Sequence, residues 1–194
     1  MIKVPANVLA YCLNEDVRGA VDLLLSKRRP SVPDDLKWGE LEKFFRAIGA
    51  AQQVRVDMAT FLDQIWRAVW TDLPNPWESK PTDTQRLDLL SIWDDGVLRR
   101  TYTHKTSKSL TCELLIFANH SEGVQVGIDL KKGKANAFGK KEKPPGWEIY
   151  DGCIWSPEKA VPITKTIDPE DLKPFARQAR DLALKRIKEI KPAE

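Results

Sequence analysis

Apolar residues recur at helical spacing through the first 73 residues and at strand spacing beyond Gly96. Val8, Leu9, Cys12 and Leu13 form one short stripe. Val17, Ala20, Val21, Leu24 and Leu25 form a second, which ends at Lys27-Arg28-Arg29-Pro30. The basic triplet suits a helix C-terminus, and Pro30 is a stop signal. Ser31 to Asp35 reads as a turn. Leu41, Phe44, Phe45 and Ile48 then fall at i, i+3, i+4 and i+7, with Gly49 as the expected end. A further helix is predicted over 56–70, with Ala59, Leu62, Ile65, Trp66, Val69 and Trp70 on one face. These helical stripes read as core, because aromatic residues at this spacing pack against neighbouring helices.

Residues 74–83 hold three prolines and mark a connector. A short helix or turn is expected over 84–93. After Gly96 the period becomes two. Strands are predicted over 97–105, 110–118 and 124–131. In the last of these Val124, Val126, Ile128 and Leu130 share one face, and Gln125, Gly127, Asp129 and Lys131 share the other. Hairpin-length loops make this an antiparallel meander. Residues 132–147 read as a mobile Lys/Gly/Pro-rich loop, and further strands are expected near 148–155 and 161–165. Asp168 as N-cap and Pro169 at the first helical position open a last helix, buried along Leu172, Phe175, Ala176, Ala179, Leu182, Ala183, Ile187 and Ile190.

The resulting fold class is α+β: an N-terminal helical bundle, an antiparallel sheet and a long C-terminal helix over one sheet face. The organisation expected is a helical region over 1–73, the connector 74–83, and sheet plus helix over 84–194, all within reach of a single domain at 194 residues.

The overall charge of +3 conceals an asymmetry. Residues 1–96 carry 12 Lys/Arg against 15 Asp/Glu, and residues 97–194 carry 19 against 13. A basic second half points to an acidic protein, a nucleic acid or a nucleoprotein as partner. Candidate binding residues are Arg99 and Arg100 on the first strand and Lys132, Lys134, Lys140, Lys141 and Lys143 in the basic loop. Trp147, with Tyr102 and Phe138, could stack bases, and Arg177 and Arg180 lie on the last helix.

The chain offers little for catalysis. Cys12, Cys112 and Cys153 are far apart, and His104 and His120 are the two histidines, so neither a disulfide framework nor a zinc site is expected. No nucleophile elbow or phosphate-binding glycine loop is present. The early apolar run Val8–Leu13 is too short for a signal-peptide core or a membrane span, so a cytoplasmic protein without membrane partners is expected.

One constellation stands apart. Pairing Ala118 with Val124 places Glu113 directly opposite Asp129, with Lys131 two residues further along the same face. This hairpin resembles the active-site hairpin of PD-(D/E)xK nucleases. The resemblance covers about twenty residues and implies two carboxylates on a divalent metal such as Mg²⁺, with the lysine assisting the attacking water. Two features depart from that family: no proline precedes Glu113, and a loop rather than a helix follows the lysine strand. The leading expectation is therefore a non-enzymatic binding protein of regulator or inhibitor type without cofactor, with a metal-dependent nuclease as the alternative.

Overall fold

The computed structural model describes residues 1–25, 37–70, 97–105, 109–119, 123–138, 143–150, 152–158 and 161–190. The elements are β1 (Ile2–Lys3), α1 (Ala6–Leu13), α2 (Glu15–Leu25), α3 (Trp38–Trp70), β2 (Val97–Thr103), β3 (Leu110–Asn119), β4 (Gly123–Lys132), β5 (Ala135–Asn136), β6 (Glu148–Tyr150), β7 (Cys153–Trp155), β8 (Thr166–Ile167) and α4 (Pro169–Glu189). The connector 74–83, the turn at 31–35 and the expected element at 84–93 lie outside the described residues.

The main sheet is an antiparallel meander in the order β2-β3-β4-β7-β6, with β5 folded back on the end of β4. The β3–β4 register pairs Ala118 with Val124 and Glu113 with Asp129, as the alternation predicts. A slip of one residue would turn Cys112, Leu114 and Ile116 away from the core, so burial of one face fixes this pairing. Strand β4 is buried from Gly123 to Leu130 because it has neighbours on both edges. Beyond β7 the chain continues along it, with Ser156 N–H donating to the Val126 carbonyl and Val124 N–H to the Val161 carbonyl.

Helices α3 and α4 cover the face carrying Leu114, Ile116, Val126, Ile128 and Leu130. Two tryptophans fix α3 there. Trp66 and Trp70 donate their indole N–H to the Leu114 and Leu115 carbonyls at 3.1 and 3.3 Å. Each indole thus buries its ring without leaving its polar atom unsatisfied. In α4 the small residues Ala176, Ala179 and Ala183 are all buried and permit close packing. The Asp168 side chain accepts from Glu170 N–H at 3.1 Å, confirming the cap. Residues from α1, α3, the sheet and α4 contribute to one hydrophobic core.

Three expectations are corrected. Gly49 does not end a helix: α3 runs unbroken from Trp38 to Trp70, and Gly49 faces open space. Consequently Leu41, Phe44, Phe45 and Ile48 are carried past the core rather than into it, and Phe45 remains 56% exposed. Residues 161–165 form no strand. Pro162 has no N–H for a ladder, and the next pairing is β8 with β1 in a separate two-stranded sheet. Finally, 132–147 is not one loop. Its described parts form β5 and a segment that buries Trp147 against Phe175.

Candidate functional site

Glu113, Asp129 and Lys131 meet on the sheet face opposite α3 and α4. Lys131 Nζ lies 3.0 Å from Glu113 Oε1 and 3.0 Å from Asp129 Oδ2. The Asn136 amide donates to Asp129 Oδ1 at 3.2 Å and also to the Gly152 carbonyl. Asn136 reaches this position because Gly133, at φ +63°, turns the chain so that Asn136 pairs with Lys131. Gly152 is required on the other side. Its φ is +78°, and a Cβ there would collide with the Asn136 amide.

Asp129 is only 2% exposed. Burial pushes its carboxyl above the usual range, and the hydrogen bond and charge of Lys131 oppose this without cancelling it. Lost hydration acts to lower the Lys131 pKa, but hydrogen bonds and charge from Glu113 and Asp129 outweigh it and raise the ammonium above its ordinary value. Cys153 sits nearby; burial, then the Asp129 and Glu113 charges, push its thiol up to about 12.

As a metal centre this group fits poorly. The Lys131 ammonium already supplies the positive charge between the carboxylates. Among the described residues no three His, Cys, Asp or Glu side chains converge as a metal-binding set. After Lys131 the chain turns into β5 rather than a helix, so this departure from the nuclease hairpin stands. The arrangement can hold charge and fix the register of four chain segments.

The expected basic surface is redistributed by strand parity. Arg99 is exposed on the face away from the helices. Arg100 points to the other face, where its guanidinium pairs with Asp63 at 2.5 Å and lies 5.0 Å from the Trp66 ring centre. It is therefore a packing residue beneath α3. Tyr102 stacks on Trp66, Trp147 is 2% exposed, and Phe138 packs against the core, so none of the three offers a free ring to a base. Lys132 and Lys134 are exposed on the β4–β5 turn, and Arg177 is exposed on α4. Arg180 pairs with Asp181 at 2.8 Å, and Lys143 donates to the Trp147 carbonyl. Lys140 and Lys141 lie outside the described residues.

One hydrogen bond joins two parts of the expected basic surface. Arg186 Nε donates to the Ala137 carbonyl at 2.6 Å, and Arg186 Nη1 pairs with Glu189 at 3.0 Å. This ties the C-terminal half of α4, with exposed Lys185 and Lys188, to the end of the β4–β5 hairpin with Lys132 and Lys134. The signal in the sequence is Lys132-Gly133-Lys134, a two-residue hairpin pattern that brings β5 back toward the helix.

No protein-family model, curated protein or solved structure matches this chain. Among the described residues no helix is long and apolar enough to cross a membrane.

Proposed function

We propose that this chain is a binding protein of regulator type that engages a polyanionic macromolecule through a basic ridge. The ridge comprises Lys132 and Lys134 on the β4–β5 turn and Lys185 and Lys188 on α4. The observation that carries this reading is the Arg186–Ala137 hydrogen bond, which holds the two basic elements against one another. Cations on rigid elements lose less freedom on binding than cations on a loose chain. With Trp147, Tyr102 and Phe138 packed into the protein, the ridge favours contacts to charge rather than stacking on unpaired bases. Its partners are an acidic protein surface or a nucleic-acid backbone.

The test is binding of labelled duplex DNA and of labelled polyglutamate across a salt series. Binding should weaken linearly on a log–log plot. Lys185→Glu with Lys188→Glu should flatten the DNA slope by about 2 units, one for each phosphate no longer neutralised. Failure to bind either polyanion at low salt would remove the proposal.

A second reading, the metal-dependent nuclease, is supported by one observation: Glu113 lies opposite Asp129 with Lys131 against both. Incubation of plasmid DNA with the protein and Mg²⁺ or Mn²⁺ tests it. Cleavage that Asp129→Ala abolishes without loss of fold would favour this reading over the first.

A further inference from the structure

We infer that the N-terminal third of α3 is a self-association surface on which two copies of this chain pair antiparallel. Residues 38–50 extend for about 20 Å at the usual helical rise. Among the described residues this stretch contributes nothing to the hydrophobic core. Its apolar side chains nevertheless form a continuous stripe. Trp38 is 87% and Phe45 56% exposed, while Leu41, Phe44 and Ile48 are half-buried. Large apolar residues clustered on one exposed helical stripe mark a contact surface, whereas scattered ones do not.

The spacing specifies the partner. Leu41, the Phe44-Phe45 pair and Ile48 are symmetric about a point between the two phenylalanines. A second copy related by a two-fold axis through that point places Leu41 against Ile48 and Phe44 against Phe45, with the same contacts repeated on the other side. Such a self-complementary patch is what an isologous interface requires.

Charge agrees with this register. Glu42 and Arg46 lie one helical turn apart on the same flank of the stripe and pair within the helix at 2.6 Å. Antiparallel helices juxtapose like flanks, so Glu42 of each copy comes near Arg46 of the other. The two intrahelical pairs become a four-charge ring around the axis. A parallel pairing would instead set this flank against the opposite flank of the partner, and Glu42 would not meet Arg46 of the other copy. The interface is short, so the dimer is expected to be weak and concentration-dependent.

Sedimentation equilibrium of the full chain over a concentration series tests the proposal. A monomer–dimer equilibrium is expected, with Phe45→Glu weakening it roughly tenfold or more while circular dichroism is unchanged. Glu42→Arg and Arg46→Glu should each weaken dimerisation. Mixing these two variants should restore it, because one copy then presents two arginines at these positions and the other copy two glutamates. Mixing cannot repair the intrahelical pair, so only an intermolecular interaction responds. A wild-type chain that stays monomeric would overturn the inference, since another part of the same chain would then cover the stripe. So would a dimer indifferent to Phe45→Glu, or one that mixing does not rescue.

Discussion

Asp129 and Lys131 project from the same face of β4 and meet at 3.0 Å, with Asp129 almost wholly buried and the lysine half-exposed. Lys131 supplies the positive charge beside Asp129, whose other oxygen takes the neutral Asn136 amide, whereas the ammonium also has Glu113.

The pH dependence of stability follows from this asymmetry. The folded-state pKa of Asp129 is raised above its ordinary 3.8. The stability linked to its proton is therefore full below that value and declines as pH rises through the folded value. Asp129→Asn lacks that decline. Its stability relative to wild type should improve between about pH 3.5 and pH 7, measured by urea unfolding at each pH. A relative loss over that range would contradict the geometry. The Lys131 pKa is raised as well, so its contribution is full below 10.5 and lost as pH rises through the higher folded value. Lys131→Met leaves two adjacent carboxylates without a counter-charge. It should cost about 2 kcal/mol at neutral pH, allowing for the lysine's partial exposure, and less in acid.

Gly127 is needed for space rather than for backbone freedom. A Cβ at this position would meet the Trp155 ring at 2.5 Å, because the indole lies across the strand where the pleat has no side chain. Gly127→Val should destabilise the protein by about 2 kcal/mol through overpacking. Combining it with Trp155→Leu should recover part of that loss. A double-mutant cycle from chemical unfolding reads the coupling directly.

Adjacent arginines should respond very differently. Arg100→Ala removes a part-buried cation from the Trp66 face and from Asp63, which keeps Arg67 at 2.7 Å, and should cost about 2 kcal/mol. Arg99→Ala, on an exposed side chain, should change stability by no more than about 0.5 kcal/mol. Thermal unfolding of the two variants side by side is sufficient.

The cysteines should be slow to react in the folded protein. Burial raises the Cys12 thiol to about 11, and at pH 8 about one molecule in a thousand carries the thiolate. Cys153 is pushed to about 12, and Cys112 is buried and shifted up as well. Ellman's reagent should therefore modify the native protein far more slowly than the protein in guanidinium.

The register of the central hairpin was legible because a period of two admits one parity, and a short loop leaves little choice of offset. Glu113 opposite Asp129 followed from that arithmetic. The same parity already separated Arg99 from Arg100, yet composition alone grouped them into one patch. Trp147 follows Pro144-Pro145-Gly146, where no period operates, so its burial depended on Phe175, 28 residues away. Gly49 was ambiguous for a local reason. A glycine can end a helix or sit within one, and the difference lies in φ rather than in residue type. The hydrogen bond from Arg186 to Ala137 spans 49 residues and has no local signature.

Ile2 pairs with Ile167 and Lys3 with Thr166, and Val4 N–H donates to the Lys165 carbonyl. The strand that pairs with β1 is thus made long after it. At about 5–20 residues per second, Ile2 waits roughly 8–30 seconds for Ile167 to be made. During that interval α1 and α2 can form, but the edge of β1 stays unclosed and the sheet has no α4 to cover it. Closing this small sheet is therefore a late step of folding, possible only once Thr166 and Ile167 have been made.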